Sequence, residues 1–463
     1  MSLIKSISGI RGTIGGFPGS NFTPPDILKY TAAFGTWVIQ NTGMRKIVVG
    51  RDARTSGEMV NHIVVGTLQA IGIDVIDLGL STTPTVELAV PEERAGGGII
   101  ITASHNPKQW NALKLLNAQG EFISAKAGEE VLQIAEDKEI KYEDVNSLGS
   151  YTFKEHYIDW HIQKILNLKL VDTIAIKKRN FKIVIDCVNS TGGIAVPKLL
   201  RALGVEQIIE LYTEPNGLFP HNPEPLPEHL NDLSLAVKKN NADLGISVDP
   251  DVDRLAFVCE DGGMFGEEYT LVAIADYVLK NKKGNTVSNL SSTRALRDIT
   301  EKHGCEYFAS AVGEVNVVQK MKEEKAVIGG EGNGGIIYPE LHYGRDALVG
   351  IALFLSYLAQ FGKTVSLLRA QYPNYYICKK KIDLDPSINI ENLFDEIENK
   401  YKHLPINKID GLKIEFDKDW VHLRRSNTEP IIRIYAESSS ETTSENIATQ
   451  IMKDLKFFSR QQA

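Results

Sequence analysis

Asp249-Pro250-Asp251-Val252-Asp253-Arg254 places three carboxylates at alternate positions between the apolar runs Leu244 to Val248 and Leu255 to Val258. On extended backbone, alternate residues face one side, and three anions gathered there repel unless a hard cation that favours oxygen ligands neutralises them. The spacing predicts a divalent-metal site. A calcium-loop reading would take Asp249, Asp251 and Asp253 as first, third and fifth ligands and Glu260 as the twelfth. It fails at the sixth position, which needs Gly for a sharp turn and here is Arg254.

Other residues offer nucleophiles and phosphate donors. Ser104 follows the apolar run Ile99 to Ile101, so its hydroxyl should be held at a strand end. His105 adjoins it, but neighbours on extended backbone point apart and no Gly-x-Ser-x-Gly elbow is present. Arg424-Arg425-Ser426-Asn427-Thr428-Glu429-Pro430 gathers guanidinium, hydroxyl, amide and backbone donors, a set suited to phosphate. Gly9, Gly12, Gly15 and Gly16 lack a Gly-x-Gly start and a preceding strand, and read as turns. Gly362-Lys363-Thr364 has no upstream glycine for a phosphate loop and reads as a helix end. His221 reads as a structural loop residue.

These groups must be positioned by regular elements, and the apolar runs repeat. Lys46 to Gly50, Ile73 to Leu78 and Gly98 to Thr102 form one set; Phe181 to Asp186, Glu206 to Leu211 and Ala242 to Val248 a second; Asn285 to Leu290, Glu306 to Ser310 and Lys325 to Gly329 a third. Helix-like spacers such as Thr191 to Leu203 separate them, so each set reads as β-α-β-α-β. After the third strand of each set comes a polar loop: Ala103 to Pro107, Asp249 to Arg254, and Gly330 to Gly335. Ligands in open α/β sheets gather outside the carboxyl ends of strands, so the three loops are expected to face one cleft. From about Tyr372 the pattern changes to Ile377 to Leu384, Leu412 to Phe416, Trp420 to Leu423 and Ile431 to Glu437 around fewer helices, an α+β unit. The expected domains are 1–150 with the serine loop, 151–259 with the metal loop, 260–370 with the third loop and 371–463 with the phosphate loop.

The composition bounds the partners. A chain of 463 residues, 43% hydrophobic, supplies three or four domains with cores of their own. A formal charge of −8 argues against a nucleic-acid surface, which needs a basic face, and leaves single phosphate sites open. Cys187, Cys259, Cys305 and Cys378 show no Cys-x-x-Cys spacing, against a disulfide framework or zinc site. No run at Met1 to Lys5 suits a signal peptide and no later run reaches membrane-spanning length. A soluble cytoplasmic protein without membrane partners is expected.

Two family resemblances follow. Asp-x-Asp after an apolar strand is similar to the nucleophile loop of haloacid-dehalogenase-like phosphatases, which would make Asp249 or Asp251 a phosphoryl acceptor; Asp253 stands where that family has Thr or Val. The whole chain resembles the phosphohexomutases (phosphoglucomutases, phosphomannomutases and phosphoglucosamine mutases). The resemblance is carried in order by Thr102-Ala103-Ser104-His105-Asn106-Pro107, Asp249 to Arg254, Gly330-Glu331-Gly332-Asn333-Gly334 and Arg424 to Pro430.

It implies three similar mixed-sheet α/β domains plus a smaller C-terminal α+β domain around a central cleft. It also implies a phosphoserine at Ser104 that exchanges phosphate with a hexose phosphate through a bisphosphorylated sugar, the bisphosphate serving as activator and intermediate. By the same resemblance, Mg²⁺ would be held by Asp249, Asp251, Asp253 and a Ser104 phosphate oxygen. Arg11 and Arg254 would lie by the phosphoserine, and Lys114 would be the general acid or base. Glu331 and Asn333 would read sugar hydroxyls, and Arg424, Ser426, Asn427 and Thr428 would grip the other phosphate. Many members carry Ser where Asn333 stands and a proton-transferring His where Gly335 stands. Glu314 matches the acid of phosphoglucosamine mutases, where it could meet a 2-ammonium group, whereas Asn427 departs from their usual Gly. Glucosamine phosphate is therefore the leading substrate, with glucose and mannose phosphates next. A non-catalytic sugar-phosphate binder is the reading that the missing His would favour. A monomer or homodimer is expected.

Overall fold

The computed structural model describes residues 2–6, 9–136, 140–383, 385, 388–425 and 431–462, with side chains at all of these but 6, 461 and 462. The threefold repeat read in the sequence is real and extends to strand order. In the first sheet Lys46–Arg51 lies between Asp74–Leu80 and Gly97–Ile101, all parallel. Lys182–Asp186 holds the same place between Gln207–Leu211 and Leu244–Val248, and Thr286–Asn289 between Tyr307–Ser310 and Ile328–Glu331.

What the parallel reading lacked is the strand after each third strand. Trp110–Leu116, Leu255–Cys259 and Gly335–Ile337 return antiparallel along the strands before them. The three motif loops are therefore hairpin connections, and each contains a residue in left-handed backbone. Ser104 has φ +47°, Val252 +63° and Gly334 +84°. A β-branched valine in that region is strained and persists only where its surroundings over-determine it; Val252 is fully buried.

The first sheet is widened by Ile4–Ser6 and Gly9–Thr13 on one edge and Tyr151–Phe153 on the other. Gly9 and Gly12 thus lie in a strand rather than a turn, because the short run Ile4–Ser6 suffices to pair with it; Gly15 and Gly16 sit in the turn beyond, at φ +92° and +85°. Tyr151–Phe153 pairs with Asp74–Leu80, so the first sheet takes a strand from beyond residue 150. Tyr376–Asp383, Ile431–Ser438, Asp419–Arg425, Leu412–Phe416 and Ile406–Asn407 form the antiparallel sheet of the last unit. The helix Ala347–Phe361 ends at Gly362, φ +73°, as its sequence indicates.

Apolar packing divides the molecule unevenly. The first unit has its own cores, and the last unit packs Ile382, Leu393, Ile414, Leu423 and Ile451 together. The second and third units share one. Ile183, Leu199 and Ile246 belong to the same cluster as Ile274, Ile336 and Phe354, with Phe257 stacked on Phe354 at 3.8 Å between ring centroids.

Candidate functional site

The first and second motif loops meet. Ser104 Oγ donates to Asp249 Oδ2 at 2.7 Å, and both residues are buried. Asp249 Oδ1 accepts the backbone N–H groups of Asp253 and Arg254 at 3.1 Å each, which curls the loop so that its three acids converge. One oxygen from each of Asp249, Asp251 and Asp253 lies within 4.8 Å of the others. Asp251 Oδ1 and Asp253 Oδ1 are buried without a hydrogen-bond partner among the described residues. Buried carboxylate oxygens are costly when unmatched, and three convergent hard oxygens fit a divalent cation.

The acids are balanced by Lys114 and Arg345 from other units and by Arg254 of their own loop. Lys114 Nζ lies 2.6 Å from Asp251 Oδ2 and 3.1 Å from Asp253 Oδ2. Burial disfavours its charge, but the two aspartates outweigh that and hold Lys114 above its usual value. Burial also opposes ionisation of Asp253, yet Arg345, Lys114 and Arg254 bring it below the ordinary carboxylate range. Asp249 goes the other way, raised by burial and by Asp253 and Asp251. Arg254 Nη1 is paired with Glu224 Oε1 at 2.9 Å.

The third loop supplies the opposite wall. Glu331 Oε1 accepts from Asn289 Nδ2 at 2.8 Å and from the Gly313 N–H at 3.2 Å. Glu314 opens the helix Glu314–Glu323, and Asn333 Oδ1 accepts the Gly335 N–H at 3.2 Å. Ser104, Lys114, Arg254, Glu314, Glu331 and Arg11 line one cleft of about 710 Å³. Arg11 Nε is buried there with no partner among the described residues, and burial together with Arg433 lowers its pKa. Arg424 Nε reaches Asp410 Oδ2 at 2.8 Å, and the same oxygen accepts the Val312 N–H at 2.9 Å, tying the last unit to the loop before Glu314. Ser426, Asn427 and Thr428 lie outside the described residues.

His105 differs from expectation. The left-handed turn at Ser104 breaks the extended geometry that would point the two side chains apart, and His105 Nδ1 sits 3.5 Å from Ser104 Oγ. Burial, then Arg254, pushes its pKa down to about 2, so the ring is neutral. His221 is structural, as read, with Nε2 2.9 Å from Asp186 Oδ2.

Two arginines of the site escaped the sequence reading. Arg54 is 1% exposed and its guanidinium donates to four carbonyls of the serine loop: Ser104, Asn106, Pro107 and Trp110. Its Nε lies 3.1 Å from Asp52 Oδ2, which Thr102 Oγ1 also donates to at 2.7 Å. Arg345 pairs with Asp253, Glu314 and Glu331, each at 2.8–2.9 Å. Arg54 follows the strand Lys46–Arg51, at the same sheet end as the motif loops, and that position was the available signal.

Comparison with known proteins decides the family. Four domain families match in order: the phosphoglucomutase/phosphomannomutase alpha/beta/alpha domains I, II and III over residues 3–141, 157–263 and 266–376, and the C-terminal domain over 387–454. The chain belongs to the phosphoglucomutase/phosphomannomutase family. It is 37% identical over 439 residues to a Thermococcus kodakarensis relative named phosphoglucomutase/phosphomannomutase, covering 93% of this chain and 94% of that one. It is 32% identical to a Sulfurisphaera tokodaii relative named phosphoglucosamine/phosphogalactosamine mutase, covering 98% and 99%. The crystal structure of a Burkholderia thailandensis phosphoglucomutase/phosphomannomutase family protein superposes with a TM-score of 0.85 at 27% identity, covering 98% of each chain. As a member of this family the protein is an enzyme of the isomerase class, an intramolecular phosphotransferase. Among the described residues no helix is long and apolar enough to cross a membrane.

Proposed function

We propose that this phosphohexomutase interconverts hexose 6-phosphate and hexose 1-phosphate through a phosphoserine at Ser104 and a bisphosphorylated sugar, with glucosamine phosphate preferred. The observation that carries the reading is the 2.7 Å contact of Ser104 Oγ with Asp249, joining two units at the floor of the cleft. Asp249, Asp251 and Asp253, with an oxygen of the Ser104 phosphate, would hold Mg²⁺. Bound there, the ion offsets charge on the transferred phosphoryl group.

The chain's own residues supply the rest. Arg11 and Arg254 add positive contacts to that phosphate. Lys114, beside Asp251 and Asp253, enters as the general acid or base: it takes the proton of the sugar hydroxyl that attacks the Ser104 phosphate and returns it to the sugar oxygen released when phosphate goes back to Ser104, a cation on the aspartates weakening their hold on that proton. Glu331 orients sugar hydroxyls from the opposite wall, and Asn333, whose Oδ1 is turned to the Gly335 N–H, would add its amide nitrogen. Arg424, with Ser426, Asn427 and Thr428, grips the phosphate that is not reacting, and the sugar turns between the two halves of the cycle. A hexose bisphosphate primes the serine.

Glu314 supports the amino sugar because a carboxylate has about four acceptor sites and Arg345 uses two of them. Glucose or mannose phosphate is the second reading, favoured by that same engagement, which leaves Glu314 partly neutralised. Turnover of the three sugar phosphates, ranked by kcat/KM, separates these.

Incubation with hexose bisphosphate followed by mass spectrometry should find acid-stable phosphate on Ser104. An active Ser104→Ala enzyme would sink the proposal. A hydroxylamine-labile acyl phosphate with release of inorganic phosphate would assign the chemistry to Asp249 or Asp251 instead. Tight binding of hexose phosphates with no turnover would make the protein a binder. Sedimentation of the purified protein distinguishes monomer from homodimer.

A further inference from the structure

The space beside Gly335 is filled from elsewhere in the chain. A Cβ added at Gly335 would stand 2.3 Å from Arg345 Cδ and 3.0 Å from Arg345 Cγ. Arg345 immediately precedes Asp346, which caps the helix Ala347–Phe361 by accepting the Leu348 and Val349 N–H groups. The cap fixes the backbone, and the side chain runs from it along Gly335 into the cleft.

All three edges of the guanidinium are used. Nη2 donates to Asp253 Oδ2 at 2.8 Å, Nη1 to Glu331 Oε2 at 2.9 Å and Nε to Glu314 Oε2 at 2.9 Å. The Arg345 backbone N–H adds Glu314 Oε1 at 2.9 Å. One planar cation thus joins an acid of the metal loop to both acids of the sugar-facing wall. A lysine has a single ammonium and could not reach three carboxylates in this fork geometry. Glu331 keeps Asn289 and Gly313 on its other oxygen, whereas the hydrogen bonds described for Glu314 all come from Arg345.

We propose that Arg345 is a positioning residue that fixes Glu314 and Glu331 for the sugar and, by holding Asp253, sets how tightly the aspartate loop binds a divalent cation. The first half rests on the mutase reading; the second concerns metal binding alone. A guanidinium against Asp253 repels an incoming divalent cation, so its removal should strengthen metal binding. A residue that merely supported the loop would have the opposite effect, since loosening the loop weakens binding.

The test uses the full chain, with Mn²⁺ as probe and without sugar, read by electron paramagnetic resonance of free Mn²⁺, and steady-state kinetics alongside. Arg345→Met should bind Mn²⁺ at least about threefold more tightly and raise KM for the hexose phosphate about tenfold or more, with a smaller change in kcat. Arg345→Lys should keep native Mn²⁺ affinity, because the charge remains, yet still raise KM. Should Arg345→Met fail to fold, Arg345→Lys decides, and a native KM in that variant overturns the proposal. Unchanged or weaker Mn²⁺ binding by folded Arg345→Met overturns the second half. If the native enzyme turns over no hexose phosphate while the Mn²⁺ result holds, the mutase reading has failed and the metal half stands.

Discussion

Replacing Arg54 by Met tests whether the serine loop is held from beneath. The substitution keeps an unbranched apolar stem but leaves Asp52, fully buried, without its cation, and withdraws the donor from the carbonyls of Ser104, Asn106, Pro107 and Trp110. Breaking one side of a buried ion pair costs about 3–5 kcal/mol, and the buried Ser104 carbonyl left without its donor about 1–3 kcal/mol more before relaxation, the partly exposed carbonyls turning to water instead. The loop can shift toward water, so a net loss of about 5 kcal/mol is expected, much of the carbonyl penalty being exchanged for movement of Ser104. A displacement of about 1 Å in a reacting group lowers rates about 10²-fold. Urea unfolding followed by circular dichroism measures the first quantity, and the rate of Ser104 phosphorylation by hexose bisphosphate the second. Asp52→Asn/Arg54→Met should be less destabilised than Arg54→Met, because an amide leaves no orphaned charge. The single variant should also recover on acidification. Burial already raises the Asp52 pKa above its unfolded value, and losing Arg54 raises it further, so stability contributed by the protonated form is lost as pH climbs through that window. Stability within about 1 kcal/mol of native, together with a native phosphorylation rate, would refute the reasoning.

Two further predictions concern stability. His422 is 1% exposed, with Nδ1 3.0 Å from Ser291 Oγ and Nε2 2.6 Å from the Asp410 carbonyl. Burial lowers its pKa to about 4, with the carbonyl opposing and Lys413 adding. The unfolded state, titrating near 6.5, binds the extra proton between those values, so stability should fall as pH drops from about 6.5 toward 4, by about 1.4 kcal/mol per unit. His422→Gln should flatten that slope in urea titrations at pH 7 and 5. Phe354, fully buried against Phe257 and Phe265, should cost about 3–5 kcal/mol when cut to Ala; a loss under about 1 kcal/mol in the same assay would mean that the shared core closes over the gap.

The parallel strands and the acid loop were legible because their signals are local. Leu244 to Val248 is an unbroken apolar run, as a strand covered on both faces must be, and the aspartates that follow it have few other uses. The antiparallel returns were harder to see. Gly335–Ile337 has only three residues, and Trp110–Leu116 carries Asn111 and Lys114 among its apolar positions. An apolar run implies extended backbone up to Ser104, and the positive φ there, which no residue type announces, brings His105 closer than extended geometry allows. Arg54 and Arg345 stayed hidden for a different reason. Each acts on groups brought near only by folding: Arg54 on carbonyls about fifty residues later, Arg345 on an aspartate in another unit. Side-chain type shows that such a residue can donate, and only the fold shows to what.

The core common to the second and third units has a mechanical consequence. Prising those units apart would bare apolar area at about 25 cal/mol per Å², so Asp249 to Asp253 and Glu314 with Glu331 behave as a fixed jaw. The first lobe is pinned to that jaw by the buried Lys114 pairs with Asp251 and Asp253 and by Ser104 against Asp249, so whatever room a reorienting sugar needs must come from the last lobe, which meets the jaw through contacts such as Asp410 to Val312. A partly exposed hydrogen bond of this kind can be exchanged for water with little net loss, which lets the last lobe give way while the anvil stays still.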